Sequence, residues 1–190
     1  MKRLFMLLVF SFLCGIIYAQ DAEAIYKEGK TLYDAKKYKE ALAKFQTSAN
    51  QGYKKAQYYL GRCYDKGHGI AENDQQAFFW YEKAAAQNHP KAQYEVGKCY
   101  KKGEGVEKDP AKAFIYFEKS ATQGNADAQF ELGKCYMKGK GTTENLDKAK
   151  ELFNQSVNNP KGGDKILKKL KKEAAEGDES SRKILKMLKN

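Results

Sequence analysis

The chain has 190 residues, 42% of them hydrophobic, which is enough for a folded core but for no more than one domain or one short repeat array. Lys and Arg number 35 against 24 acidic residues, a formal net charge of +11 that favours an anionic partner without choosing among nucleic acid, anionic lipid and acidic protein. Only two histidines are present, which leaves few parts for acid–base catalysis.

Lys2 and Arg3 precede an apolar run from Leu4 to Leu13, broken by Ser11, and Tyr18-Ala19-Gln20 places a small residue at a cleavage position. This pattern predicts a secretory signal peptide over residues 1–19 and a secreted or periplasmic protein. Ile17 is larger than the residue usual two places before the cleavage-site alanine, so an uncleaved anchor helix stands as the alternative. Leu13 before Cys14 argues against a lipoprotein signal. Cleavage after Ala19 would remove two positive charges and Cys14, and would leave no membrane span.

A first helical hairpin is expected over residues 21–53, in "AEAIYKEGKTLYDAKKYKEALAKFQ". It has the plan of the units that follow but is shorter: Ala24 to Ala41 is 17 residues, whereas Ala56 to Ala77 is 21. At a period of 36, "AQYYLGRCYDKGHGI" from Ala56 aligns with "AQYEVGKCYKKGEGV" from Ala92 and "AQFELGKCYMKGKGT" from Ala128, which predicts repeats over 54–90, 91–126 and 127–160.

Within a repeat, Ala56, Leu60, Cys63 and Tyr64 fall on one face of a helix, called helix A. Gly67, Gly103 and Gly139 end it with a left-handed residue, and a second glycine completes the turn. Asn73, Asp109 and Asn145 are placed to N-cap helix B, with Pro110 at a first helical position. Helix B carries Ala77, Trp80, Tyr81, Ala84 and Ala85, or Ala113, Tyr116, Phe117, Ser120 and Ala121, and ends at Asn88 or Gly124. Gly61, Gly97 and Gly133 are expected where two helix backbones come close.

Cys63, Cys99 and Cys135 recur because the whole repeat recurs. The neighbouring His68 becomes Glu104 and then Lys140, so no Cys/His pair is propagated, and zinc asks for about four convergent ligands. His89, before Pro90, reads as a surface turn residue. Equivalent atoms in successive stacked hairpins lie roughly 10 Å apart, too far for a disulfide, so the three cysteines should be buried free thiols. Beyond "NNPKGG", which reads as a flexible joint, residues 161–190 form a basic helical pair suited to capping an array.

With A-x-x-x-L-G-x-x-Y-x-x-G-x-G at Ala56, Leu60, Gly61, Tyr64, Gly67 and Gly69, the three repeats resemble Sel1-like repeats, and the first hairpin resembles a tetratricopeptide repeat. Val96, Thr142, Lys150 and Glu151 depart from the pattern. The resemblance implies an all-α fold, a right-handed α-solenoid of stacked antiparallel helical hairpins, that holds proteins together without catalysis or cofactor. Some secreted relatives with cysteine-rich repeats are linked to β-lactam binding, but their paired cysteines bridge the two helices of a unit, and this chain has one per repeat. Gly-x-Ser-x-Gly, Walker and His-Glu-x-x-His motifs are absent from the sequence.

About 160° from Leu60 on helix A stand Tyr58 and Arg62, neighbours at i and i+4 that are expected to face solvent together. Tyr94/Lys98, Phe130/Lys134 and, in the first hairpin, Tyr26/Lys30 are their equivalents, and Lys66, Lys101, Lys102 and Lys138 extend the charge. In tetratricopeptide-like folds such positions line the concave groove. Aromatic faces with cations suit an extended anionic ligand. Single-stranded nucleic acid would fit chemically, but export removes the chain from it, so an acidic peptide or protein is the expected partner. The alternative is a cell-envelope enzyme or receptor for a small anionic ligand such as a peptidoglycan fragment.

Overall fold

The computed structural model describes residues 21–189, and every regular element among them is an α-helix. The expected signal peptide, with Cys14, lies outside the described residues. The chain forms two units that meet between His89 and Pro90 in the sequence.

In the first unit, α1 (21–34) and α2 (Tyr38–Asn50) make the short hairpin, and α3 (Lys54–Lys66) and α4 (Asp74–Ala86) make the next. The helix-A stripe of α3 is its buried face: Ala56, Leu60 and Cys63 are sealed from solvent. They join Tyr33, Ala41, Leu42, Phe45 and Ala49 in one core. Gly67 ends α3 in the left-handed region at φ 62°, and Asn73 caps α4 by accepting a hydrogen bond from the Gln76 amide at 2.8 Å. Gly69, the second glycine of the turn, has φ +81° and lies so near the start of α2 that a Cβ would stand 2.6 Å from the Tyr38 carbonyl oxygen. Both its conformation and its closeness to α2 demand glycine.

The second unit comprises α5 (Pro90–Lys102), α6 (Pro110–Ala121), α7 (Ala126–Lys138), α8 (Leu146–Val157), α9 (Gly163–Ala175) and α10 (Glu179–Lys189). Asp109 and Asn145 cap α6 and α8 as expected, and Pro110 opens α6. Phe153, Ile166, Leu170 and Ile184 carry the core through the last hairpin. The segment expected as a flexible joint begins in a hydrogen-bonded turn: the Asn159 amide group donates to the Gly124 carbonyl at 3.0 Å and to Gln129 at 3.1 Å.

Two polar devices recur with the repeat. Helix-B serines donate to a carbonyl at the start of their own helix A: Ser120 to Pro90 at 2.7 Å and Ser156 to Ala126 at 2.9 Å, with Ser48 to Ala22 in the short hairpin. A buried glutamine of helix A meets an amide just after helix B: Gln87 donates to Gln57 at 2.8 Å, Gln123 to Gln93 at 2.6 Å, and Asn159 to Gln129. These bonds satisfy groups that would otherwise be costly to bury, and they fix how the hairpin closes. At Gly61, Gly97 and Gly133 the close neighbour is an aromatic ring of helix B rather than mainly its backbone. No helix among the described residues is long and apolar enough to cross a membrane.

Candidate functional site

Helix-A positions 58/62, 94/98 and 130/134 each bring a cation beside a ring. Lys98 Nζ lies 5.5 Å from the Tyr94 centroid, Lys134 Nζ 5.5 Å from that of Phe130, and Arg62 Cζ 5.9 Å from that of Tyr58. The i, i+4 register produces the pairing, because side chains one turn apart overlie each other. Tyr94, Phe130, Lys98 and Lys134 are half-buried.

Exposure differs from expectation at Tyr58, which is only 7% exposed. It packs against Tyr59, Tyr81 and His89, the last stacked on it at 4.9 Å. Tyr58 leaves α3 on the side away from Leu60, and Tyr81 and His89 cover that side as well. Neither histidine is a bare turn residue: His68 stacks on Tyr38 at 4.1 Å, and its Nδ1 shares a hydrogen bond with the Tyr33 hydroxyl at 2.7 Å.

Around Arg62 the first unit builds an aromatic box. The guanidinium carbon lies 5.5 Å from the ring centroids of both Tyr33 and Tyr59. Burial alone would lower its pKa, but Tyr58, Tyr33 and Tyr59 outweigh burial and raise it, so Arg62 stays a cation. Tyr26 packs on Phe45, Tyr53 and Tyr59, and burial first, then Tyr59 and Tyr53, push its hydroxyl up to about 12. Lys30 lies over Tyr59 and is ion-paired with Asp34.

The lysines are not a free positive ladder. Lys98 pairs with Glu95 at 2.5 Å, and Glu131 receives Lys101 at 2.5 Å and Lys134 at 3.3 Å. Burial pushes the Glu131 carboxyl up, yet Lys134 and Lys101 prevail and hold it below the usual range. Lys66 reaches Asp65, Lys102 reaches Glu104, and Lys138 donates to the Ser180 hydroxyl at 3.1 Å. Lys101, Glu131, Lys134 and Lys138 share a cavity of about 540 Å³ with Phe117 and Cys135. A second cavity, of about 300 Å³, joins Phe130, Lys134 and Lys138 to Lys169 and Ile184.

The sequence reading did not single out Glu95, Glu131 or Tyr59, although all three stand 36 apart, three residues before the ladder cation. It also passed over the glutamines that follow Ala56, Ala92 and Ala128. Cys63, Cys99 and Cys135 are buried free thiols. Among the described residues no group of His, Cys, Asp and Glu is arranged to hold a metal ion.

Helical hairpins repeated every 36 residues, closed by recurrent caps and amide pairs, define an all-α protein of the α-solenoid class. Residues 54–89, 90–125 and 126–159 each match the Sel1 repeat, and the chain belongs to that family. Sel1 repeats generally serve as protein–protein interaction scaffolds and are typically non-catalytic. The chain is similar to a protective antigen of uropathogenic Escherichia coli with an SLR fold: identity is 33% and TM-score 0.69, over 72% of this chain and 30% of that one. Thus it spans less than a third of that antigen's length. A Sel1 repeat protein from Oxalobacter formigenes is 29% identical with TM-score 0.68, over 82% of this chain and 72% of its own. Cysteine rich protein B of Helicobacter pylori is 25% identical with TM-score 0.51, over 77% of this chain and 96% of its own. No curated protein matches the chain.

Proposed function

We propose that this protein is a non-catalytic scaffold of the secretory or cell-envelope compartment that binds an extended acidic polypeptide on the helix-A faces of its units. The observation that carries the reading is the cation placed over a ring at the same step of all three repeats. A ring held against a cation gives an extended chain both an apolar contact and a charge-assisted hydrogen bond at each step. The leader pattern at residues 1–19 supports export, and a mature N-terminus at or near Gln20 is the expected intact-mass result.

Binding is tested with the purified mature chain and a fluorescein-labelled peptide of alternating glutamate and leucine, read by anisotropy. Saturable binding that weakens with added salt is expected. It should be lost in the variant R62Q/K98Q/K134Q, whose glutamines keep much of the aliphatic stems. Equal binding by wild type and variant would overturn the reading.

A receptor or enzyme for a small anionic ligand, such as a peptidoglycan fragment, is the second reading. The cavity of about 540 Å³ with its lysine rim favours it. Saturable binding of such a fragment in competition with the peptide, lost on K101Q/K138Q, would select it.

A further inference from the structure

The three repeats differ at the position that decides whether the ladder cation is available. Three residues before Arg62, Lys98 and Lys134 stand Tyr59, Glu95 and Glu131. Glu95 and Glu131 hold the lysine that follows each of them. Tyr59 carries no charge and faces Arg62 with its ring. Among the described residues Arg62 has no carboxylate within ion-pair distance and donates no side-chain hydrogen bond to a protein acceptor. No fully buried side-chain nitrogen or oxygen among the described residues lacks a partner, so the unpartnered guanidinium nitrogens reach solvent.

The box that orients this cation is braced. Tyr59 packs on Phe45 at 5.1 Å and edge-on to Tyr33 at 5.4 Å, and the Tyr33 hydroxyl is fixed by His68. A guanidinium held over ring faces, with no protein acceptor on its nitrogens, keeps donors available for a bidentate carboxylate, and little side-chain entropy remains to be lost on binding.

We propose that Arg62 is the carboxylate-recognition point of the first unit, and that Glu131 occupies the equivalent cation of the second unit as a built-in stand-in for the ligand. This rests on the acidic-polypeptide reading and narrows it: a carboxylate of the partner, from a side chain or the chain terminus, meets the Arg62 fork, while its apolar neighbours lie on the tyrosine rings. At Lys134 the same ligand must first displace Glu131.

The test uses the labelled glutamate–leucine peptide with the mature chain, once with a free C-terminus and once amidated; loss of binding on amidation assigns the terminal carboxylate, and retention assigns a side chain. R62A should bind at least about tenfold more weakly, and R62K should recover only part of the loss, since a charge-assisted bidentate contact is worth that much and lysine lacks the fork. Y59E, which recreates the arrangement of the other repeats, should weaken binding to a similar degree, with thermal melting reporting that it folds. E131Q should bind the peptide at least about threefold more tightly or at a second equivalent. If R62A and Y59E bind as wild type while R62Q/K98Q/K134Q does not, the assignment of Arg62 is overturned and the scaffold reading stands. Unchanged affinity in E131Q overturns the stand-in. A wild-type chain that binds neither peptide overturns both.

Discussion

Gly133 of α7 lies directly against Phe153 of α8, so that a Cβ on the glycine would stand 2.7 Å from the ring carbon Cε1. Phe153 is fully buried and has nowhere to retreat. Alanine at 133 would gain about 1 kcal/mol of helix propensity but overpack the hairpin by about 1–3 kcal/mol, so G133A should be destabilised. Urea unfolding checks it, and a higher midpoint than wild type would show that the ring can move.

The amide pairs should matter as much as the apolar core. Gln57 is 5% exposed, accepts from Gln87 at 2.8 Å and donates to the Ala49 carbonyl at 3.3 Å. Leucine at 57 would keep the bulk and remove both bonds, while Gln87 keeps the Gly52 carbonyl at 2.9 Å and the Ala49 carbonyl keeps the Gly52 amide at 3.0 Å, so the cost should be about 0.5–1.5 kcal/mol. Denaturant melts of Q57L and of Q57L/Q87L test this, the double variant recovering part of the loss if the pair is the cause.

Burial pushes the Cys63 thiol up to about 12, only partly opposed by Arg62, and the Cys135 thiol up to about 11. An unfolded cysteine ionises near about 8.5, so above that pH the unfolded chain loses protons that the native chain keeps. The stability these thiols confer is therefore complete below about pH 8.5 and is lost as pH rises toward their folded values. C63A should cost about 1–2 kcal/mol at neutral pH and flatten the alkaline decline. Thiol reagents should label neither cysteine until the chain is unfolded.

Reversing charge is not equivalent along the ladder. The Lys134 side chain is 30% exposed and sits on Glu131, itself 15% exposed, so K134E would set two carboxylates together. It should cost well over the roughly 0.5 kcal/mol of an ordinary surface change, whereas K102E, in an exposed pair, should stay near that value. Because Lys134 and Lys101 hold the Glu131 pKa down, their contribution is present above the unfolded glutamate pKa and is lost as pH falls through the folded one. Acid titration of thermal stability in wild type and K101M compares the two.

The sequence by itself determined the elements: the period of 36, the buried stripe of Ala56, Leu60 and Cys63, the left-handed end at Gly67, and the caps at Asn73, Asp109 and Asn145. Those features depend on residues within about a turn of each other, and backbone sterics and capping chemistry act at that range. It also placed Arg62, Lys98 and Lys134 correctly beside their rings, for the same local reason. Only the tertiary structure decided that Tyr58 is covered by α4 and His89, that His68 braces Tyr33, that Gln57 meets Gln87 30 residues away, and that Glu131 gathers Lys101 from the preceding repeat. A helical wheel gives the direction in which a side chain leaves its helix. What lies in that direction is set by the packing of the next hairpin, and that packing decided which cations are spoken for and left Arg62 unpaired among tyrosines.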